Sequence, residues 1–204
     1  MGFTLAITGR PNVGKSTFFN RLLETRKAIV DDISGVTRDR QYGIADWNGK
    51  VFNLIDTGGF VPNTADIFET EIRKQVKIAI DEANAIVFMV DVATGITDLD
   101  EAMADMLRRT TKPVYVVVNK VDNGTRELEA TEFYSLGFAH NFFISSISGS
   151  GTGEVMDAIA AGISPEDSEE VAQEDQLPKF AIIRPQKIIQ NSYLLELFKV
   201  YRWS

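Results

Sequence analysis

Cysteine is absent from this 204-residue sequence, and histidine occurs only once. Without cysteine, disulfide bonds and thiolate metal sites are excluded. Long apolar runs are also missing, because the longest, residues 85–90, falls far short of the roughly 20 residues that cross a bilayer. The first residues lack a basic segment followed by an apolar one, so no signal peptide is expected. We therefore expect no membrane association and a cytoplasmic location.

Basic side chains are fewer than acidic ones. The sequence carries 21 Lys and Arg against 29 Asp and Glu, a formal net charge of −8. Six of the acids, and no base, fall in residues 164–176. No basic stripe of the kind that binds nucleic acid through its phosphates is visible, so direct DNA binding is not expected. The hydrophobic content of 44% and the charged content of 25% are ordinary for a globular domain.

Strand-like and helix-like segments alternate along most of the chain. Continuous apolar runs such as residues 85–91 are typical of strands covered on both faces, and Asn48-Gly49 is a strong hairpin signal. Strands alternating with helices predict a doubly wound α/β domain with a mostly parallel sheet and one antiparallel hairpin edge. Strands are predicted at residues 3–8, 40–47, 50–55, 85–91, 113–119 and 141–145, and helices at 16–24, 65–83, 99–109, 127–136 and 153–161.

A glycine-rich motif follows the first predicted strand. Residues 9–16 read Gly-Arg-Pro-Asn-Val-Gly-Lys-Ser. The glycines let such a loop wrap closely around phosphates at a helix N-terminus. Lys15 would supply a cation to the β- and γ-phosphates, and Ser16 a hydroxyl to Mg²⁺. An ordinary glycine turn is the alternative, but the spacing favours the phosphate-binding loop of a P-loop NTPase. The candidate ligands are Gly9, Arg10, Pro11, Asn12, Val13, Gly14, Lys15, Ser16 and Thr17.

A second motif that is predicted to contact the phosphates and Mg²⁺ begins at Asp56, where a predicted strand ends in Asp-Thr-Gly-Gly. Mg²⁺ prefers oxygen ligands and keeps several waters, so Asp56 is expected to hold it through water. The backbone N–H of Gly59 is expected to sense the γ-phosphate, and Thr37 is the candidate second hydroxyl ligand of Mg²⁺. An ordinary turn and an ordinary polar loop are the alternatives. The predicted nucleotide contacts here are Asp56, Thr57, Gly58, Gly59 and Phe60.

A base-binding motif follows the strand at 113–119, where residues 119–122 read Asn-Lys-Val-Asp. Guanine presents N1–H and N2–H₂ as adjacent donors, and the single carboxylate of Asp122 can accept both. Asn119 would hold the loop, Lys120 would lay its alkyl stem along the base, and backbone N–H groups of residues 145–147 would reach the guanine O6. A helix-capping turn is the alternative. Together with the phosphate loop, the motif predicts GTP binding and hydrolysis. The predicted base contacts are Asn119, Lys120, Val121, Asp122, Ser145, Ser146 and Ile147.

These motifs also resemble a known family. Residues 3–163 resemble the first G domain of the Der (EngA) family of bacterial ribosome-assembly GTPases, a Ras-like G domain. The resemblance implies a role in maturing the large ribosomal subunit, with GTP-dependent association with the ribosome. The matching stretches are Gly-Arg-Pro-Asn-Val-Gly-Lys-Ser-Thr, Ala-Ile-Val-Asp-Asp, Gly-Val-Thr-Arg-Asp-Arg, Leu-Ile-Asp-Thr-Gly-Gly, Val-Asn-Lys-Val-Asp and Glu-Phe-Tyr-Ser-Leu-Gly-Phe.

The resemblance has a consequence for catalysis. Phe60 stands where Ras-like enzymes place a water-orienting glutamine, and it can neither act as a base nor hydrogen-bond a water. Relatives with a hydrophobic residue there and an asparagine such as Asn12 in the phosphate loop are thought to use K⁺ in place of an arginine finger. The resemblance thus implies K⁺-stimulated turnover with Asn12 as a K⁺ ligand. The candidate catalytic residues are Asn12, Lys15, Thr37 and Gly59.

The resemblance also divides the chain into three segments. Residues 1–163 would form the GTP-binding domain, residues 164–177 an acidic linker, and residues 178–204 the start of a second G domain. Residues 184–187 read Arg-Pro-Gln-Lys where a second phosphate loop is expected, so we expect a truncated or frame-shifted C-terminal part with an aberrant tail. The alternative function is a module that holds GDP or GTP, uncoupled from the ribosome because the second G domain and a KH-like domain would be missing. An ATP-dependent kinase with the same loop is a third possibility.

Overall fold

The computed structural model describes residues 2–24, 41–58 and 65–168 of the chain. These residues form one six-stranded sheet with the strand order β2-β3-β1-β4-β5-β6. Strand β2 is antiparallel to β3, and every other neighbouring pair is parallel. The strands are β1 (Thr4–Thr8), β2 (Gln41–Trp47), β3 (Lys50–Asp56), β4 (Ala85–Asp91), β5 (Val114–Asn119) and β6 (His140–Phe143).

Five α-helices connect the strands. They are α1 (Lys15–Glu24), α2 (Ala65–Glu82), α3 (Asp98–Leu107), α4 (Gly124–Ala130) and α5 (Thr152–Ala161), with 3₁₀ turns at Val92–Thr94 and Thr131–Leu136. Each parallel pair of strands is linked through at least one helix, the arrangement that the alternating pattern predicted. The predicted doubly wound α/β fold is confirmed.

Two hydrophobic cores cover the two faces of the sheet. Alternate residues of β1 point to opposite faces, so Leu5 and Ile7 lie in one core and Ala6 in the other. Helices α1 and α5 complete the first core, and α2, α3 and the segment after α4 complete the second. Because both faces are covered, β4 is buried along its whole length, which explains its uninterrupted apolar sequence.

The hairpin at the edge of the sheet has the predicted two-residue loop. Trp47 pairs with Lys50 across the turn. Asn48 and Gly49 both have positive φ angles, 52° and 78°. Positive φ at both central residues is the geometry that favours an Asn-Gly sequence in tight hairpins. The sequence therefore predicted this connection correctly.

One predicted helix differs in type. The segment predicted as a helix over 127–136 is α4 followed by a 3₁₀ turn, and α4 starts three residues earlier because the Asn123 side chain accepts a hydrogen bond from the Arg126 N–H at 3.0 Å. Three buried residues, Ala130 at the end of α4 and Phe133 and Leu136 in the turn, are three apart. This spacing suits the 3.0 residues per turn of a 3₁₀ helix better than an α-helix.

The last strand is also shorter than the predicted 141–145. The N–H of Ile144 still donates to the Val118 carbonyl at 2.9 Å, but the Ser145 N–H donates to Ser150 at 3.0 Å. The chain thus leaves the sheet at Ser145 and turns into the loop before α5. This early exit leaves residues 145–147 in the loop that the sequence analysis assigned to the base.

The end of α5 and the residues that follow it pack against the start of β3. Lys50 Nζ donates to the carbonyls of Ala160 and Ile163, both at 2.7 Å, and the Val51 N–H donates to Ser168 Oγ at 2.7 Å. The predicted boundary at 177 lies outside the described part, which ends at residue 168, and both it and the boundary at 163 stay predictions. Within the described ranges, no helix is both long and apolar enough to cross a membrane.

Candidate functional site

The candidate site residues gather at one edge of the sheet. The carboxyl ends of β1, β3, β4 and β5 all meet there, and the chain passes to opposite sides of β1 to form β3 and β4. In open α/β sheets, ligands bind at this kind of switch point, outside the carboxyl ends of the strands. Asp56, Asp91 and Asn119 are the last residues of β3, β4 and β5.

The loop between β1 and α1 passes very close to its neighbours. A Cβ atom on Gly9 would overlap the Met89 carbonyl oxygen, and one on Gly14 would overlap the Asn119 amide. Both glycines have positive φ, 150° and 102°. Side chains are therefore excluded at these two positions, and the loop presents backbone at the N-terminus of α1, which is a suitable cradle for phosphate oxygens.

Lys15 lies at the centre of this cradle and is 6% exposed. Its Nζ donates to the Arg10 carbonyl at 2.9 Å. Burial lowers the pKa of Lys15, the charge of Asp56 raises it in part, and that of Arg10 lowers it further. A Cβ on Gly58 would overlap the Lys15 side chain, so the loop after β3 closes directly over it. A phosphate entering the cradle would meet the Lys15 ammonium, whose charge is offset only in part by Asp56 among the described residues.

Asp56 and Ser16 bring two oxygen ligands together. Ser16 Oγ donates to Asp56 Oδ2 at 3.1 Å, and the Gly58 N–H donates to Asp56 Oδ1 at 3.0 Å. One carboxylate and one hydroxyl fit Mg²⁺, which takes few protein ligands and completes its shell with water and substrate phosphates. No group of three or more acidic or histidine side chains able to hold a metal occurs in the described ranges.

Burial raises the pKa of Asp56 despite the hydrogen bond from Gly58, the charge of Lys15 and the bond from Ser16. The charged carboxylate therefore destabilises the nucleotide-free fold. We expect Asp56→Asn to raise the melting temperature of the nucleotide-free protein at neutral pH. The advantage should shrink as pH falls through the raised pKa, because the native carboxyl is then neutral as well. Melting curves of both proteins across pH measure this.

Asp46→Asn is the matched control for this prediction. Asp46 Oδ1 also accepts a glycine N–H, that of Gly49, at 3.1 Å, but it lies in the hairpin rather than at the buried strand end. Asp46→Asn should give no gain in melting temperature. A lower melting temperature for Asp56→Asn at neutral pH would contradict the inferred cost of the buried charge.

Asn119 connects the phosphate loop to the base loops. Its Nδ2 donates to the Val13 carbonyl at 2.8 Å, and its Oδ1 accepts the Ser146 N–H at 2.8 Å. The side chain is 3% exposed. The predicted role of Asn119 in holding the loops together thus has a specific geometry, because one buried amide joins the segments at residues 9–14, 119–122 and 145–147.

Lys120 and Asp122 follow at the end of β5. Lys120 has a φ of 67°, and its Nζ pairs with Asp91 Oδ2 at 2.5 Å. Asp122 is about half exposed, and its Oδ1 accepts from Asn123 Nδ2 at 3.0 Å. Arg126 Nε lies 3.6 Å from the same oxygen, and Arg126 Nη1 donates to the Lys120 carbonyl at 2.8 Å. The carboxylate is thus held at the rim of the site, accessible to a base.

The N–H groups of residues 145–147 are not equivalent. Those of Ser145 and Ser146 donate within the protein, to the Ser150 carbonyl and to Asn119. The N–H of Ile147 has no acceptor among the described residues, and its side chain is 83% exposed. Of the three predicted donors to the guanine O6, Ile147 is therefore the one that is available.

Other predicted contacts have different surroundings. Arg10 Nε donates to both carboxylate oxygens of Asp100 at 3.2 and 3.1 Å, and its Nη2 donates to Thr94. The Arg10 carbonyl, rather than its side chain, contributes to the cradle by accepting a hydrogen bond from Lys15 Nζ. Val13 is buried and contributes its carbonyl. Pro11 lies partly exposed and Asn12 exposed in the loop, and Thr17 is exposed on α1. Thr37, Gly59 and Phe60 lie outside the described residues.

Sequence reasoning missed four charged residues that support the site. Asp91 could have been found, because it ends a buried strand beside Asn119 in the predicted sheet. Asp100, which fixes Arg10, is the third residue of α3 and part of its capping box with Thr97. Arg21 and Arg126 carried no sequence signal, since they lie outside every motif.

The fold and these loops define a P-loop nucleotide-binding protein of the GTPase class. The sequence pattern of the family described as 50S ribosome-binding GTPase matches residues 4–120, more than half of the chain. The chain belongs to this family.

Named relatives agree with this assignment. The chain is 56% identical over 194 residues to GTPase Der of Christiangramia forsetii, covering 95% of this chain and 44% of the relative. It is 54% identical over 190 residues to GTPase Der of Flavobacterium johnsoniae, covering 93% of this chain and 43% of the relative. The chain thus spans less than half the length of these curated relatives. The Der resemblance of the sequence is confirmed.

A solved structure shows the same fold. Era, in complex with MgGDPNP and nucleotides 1506–1542 of 16S ribosomal RNA, superposes with a TM-score of 0.64 at 29% identity. The match covers 80% of this chain and 58% of the Era chain. The nucleotide analogue in that structure belongs to Era.

Proposed function

We propose that this chain binds GTP with Mg²⁺ and hydrolyses it to GDP, and that it takes part in assembling the large ribosomal subunit. The observation that carries the proposal is the Asn119 bridge, which joins a phosphate cradle to a loop bearing an exposed carboxylate. A ligand that satisfies both ends must carry phosphates and a base with adjacent donors, and a guanine nucleotide has both.

The residues of this chain have separable roles in the proposed reaction. Lys15 and the backbone N–H groups at the start of α1 would bind the phosphate oxygens. Ser16 and Asp56 would hold Mg²⁺, which supplies neutralisation of the β- and γ-phosphate charge when bound. The Asp56 carboxylate is engaged by Ser16 and Gly58, so it is not free to act as a base. Because Phe60 can neither act as a base nor hydrogen-bond a water, we expect slow intrinsic turnover.

K⁺ stimulation is the finer part of the proposal. Asn12 is exposed at the tip of the phosphate loop with a φ of 66°, and its side chain has no hydrogen-bond partner among the described residues. An amide oxygen in that position could ligate a cation, and a cation near the β–γ bridge would offset charge on the leaving group. Thr37, Gly59 and Phe60 remain proposed participants.

Single-turnover hydrolysis tests the enzymatic part. The purified chain is mixed with GTP and Mg²⁺, and phosphate release is measured in K⁺ and in Na⁺, with ATP as the competing substrate. We expect release from GTP, faster in K⁺, and little from ATP. Retention of intact GTP over hours would instead support a nucleotide-holding module. Equal rates in K⁺ and Na⁺ would contradict the proposed K⁺ ligation by Asn12 and would leave the proposed GTP hydrolysis intact.

The ribosomal part rests on the family and on the Der relatives, most of whose length lies beyond the match. We propose the large ribosomal subunit as partner and, because ribosomes assemble there, the bacterial cytoplasm as location. Co-sedimentation with isolated 50S subunits, in the presence of a non-hydrolysable GTP analogue or GDP, measures the association. Binding that depends on the analogue supports the proposal, and no binding in either state contradicts it for this chain.

A further inference from the structure

Arg21 joins the helix of the phosphate cradle to the loop that faces the base. It lies in the second half of α1, outside all the sequence motifs. Its Nε donates to the Ser146 carbonyl at 2.6 Å, and its Nη2 donates to the Ile147 carbonyl at 2.5 Å. One planar guanidinium therefore holds two successive carbonyls with a fixed fork, which a lysine ammonium cannot reproduce.

The loop is shaped to receive this side chain. Gly149 has a φ of 87°, and a Cβ there would lie 2.7 Å from Arg21 Nη1. A side chain at this position would therefore be strained and would also displace the guanidinium. The loop closes beyond Arg21 through the Gly149 N–H, which donates to the Ser145 carbonyl at 2.7 Å.

The bond to Ser146 also orients a donor. The Ser146 carbonyl and the Ile147 N–H belong to one peptide unit, which is planar and trans, so they point in opposite directions. By holding the carbonyl towards α1, Arg21 turns the Ile147 N–H away from α1. This is the one N–H of residues 145–147 with no acceptor among the described residues. The Ser146 N–H, by contrast, already donates to Asn119 Oδ1.

We propose that Arg21 is a specificity-determining positioning residue, which fixes the 146–147 peptide so that the Ile147 N–H can donate to the guanine O6. The inference rests on the guanine-binding part of the proposed function. Because α1 begins in the phosphate cradle and Arg21 lies on the same helix, binding of the phosphates and reading of O6 share one rigid element. Arg21 itself does not contact the base.

The test compares nucleotides that differ at one base position. GDP and inosine diphosphate both carry O6, whereas 6-thio-GDP has sulfur there, a weaker acceptor. Equilibrium binding of each is measured for the wild-type chain and for Arg21→Ala and Arg21→Lys. Arg21→Ala should weaken binding of GDP and of inosine diphosphate about 10-fold each, near the upper end of the loss expected for the neutral hydrogen bond between the Ile147 N–H and O6. Its effect on 6-thio-GDP should be clearly smaller.

Two comparisons separate positioning from other effects. Arg21→Lys keeps the charge but cannot bind both carbonyls, so its nucleotide affinities should resemble those of Arg21→Ala. Wild-type affinity in Arg21→Lys would mean that only the charge matters, and it would overturn the proposal. Arg108→Ala is the matched control, since Arg108 Nη1 likewise donates to a loop carbonyl, that of Leu136, at 2.7 Å, away from the site. It should leave all three affinities unchanged.

The remaining outcomes are also decisive. An equal loss for all three nucleotides in Arg21→Ala would make Arg21 a general support of the site and would overturn the proposed reading of O6. Unchanged binding in Arg21→Ala would overturn the inference and leave the proposed function intact. A wild-type chain that binds no GDP would overturn both.

Discussion

Asp122→Asn should reverse the base preference of this protein from guanine to xanthine nucleotides. Guanine N1–H and N2–H₂ would both donate to the Asp122 carboxylate, and an asparagine can accept only one of them while its own NH₂ faces the other donor. Replacing two hydrogen bonds to a charged group, at about 1.5–3 kcal/mol each, by one neutral bond of about 1 kcal/mol weakens GDP binding by about 2–5 kcal/mol, or roughly 30–5,000-fold. Xanthine carries a carbonyl at position 2, which the asparagine NH₂ can bind. Equilibrium binding of GDP and xanthosine diphosphate measures the reversal.

Asp105→Asn is the control for this change. Asp105 is also more than half exposed and pairs with an arginine one helical turn away, Arg108, as Asp122 does with Arg126. Loss of an exposed pair alone costs about 0–1 kcal/mol, so Asp105→Asn should leave nucleotide preference unchanged. A variant at Asp122 that still prefers GDP would show that the carboxylate does not read the base.

The parts predicted from sequence are those set by local backbone chemistry. The Asn48-Gly49 hairpin was predictable because positive φ at two successive positions restricts the residues that fit. Gly9 and Gly14 were predictable for the same reason, reinforced by the close approach of Met89 and Asn119. The doubly wound, mostly parallel sheet was also predictable, since buried apolar runs separated by helices have few ways to form a sheet.

The parts that were missed depend on contacts between distant segments. Arg21 meets a loop 125 residues further along the chain, and Arg10 meets Asp100 across 90 residues. No pattern within either segment encodes those distances. The 3₁₀ turn after α4 was missed for another reason, because apolar residues at a spacing of three also fit one side of an α-helix over a short stretch.

The Arg10 side chain is bound to other parts of the protein, although Arg10 belongs to the motif that is predicted to bind the nucleotide. The glycine-rich pattern predicted that all of residues 9–17 line the nucleotide, but the Arg10 side chain is bound to Asp100 and Thr94. Asp100 is fully buried and also accepts the Thr97 N–H within the capping box of α3. The Arg10 side chain thus connects the phosphate loop to α3. This connection fixes the Arg10 carbonyl, which accepts a hydrogen bond from Lys15 Nζ.

Asn119→Ala should have the largest effect on the fold itself. The change leaves the Val13 carbonyl and the Ser146 N–H buried without partners, and each such group costs about 1–3 kcal/mol. The free energy of unfolding should therefore fall by about 2–6 kcal/mol, a large part of the 5–15 kcal/mol that is typical of native proteins. Urea unfolding of the nucleotide-free protein measures the change, and GDP affinity should fall as well because the loops are no longer joined.

Asn141→Ala is the matched control, because this asparagine also donates through Nδ2 to a backbone carbonyl, that of Phe138, at 2.7 Å. Its Oδ1 is buried without a partner, so removing the side chain also removes one unsatisfied oxygen. The loss in stability should be much smaller and GDP binding should be retained. Equal losses in stability and in GDP affinity for the two variants would mean that Asn119 has no special role in joining the loops. A selective loss in Asn119→Ala would make it the connection on which both halves of the site depend.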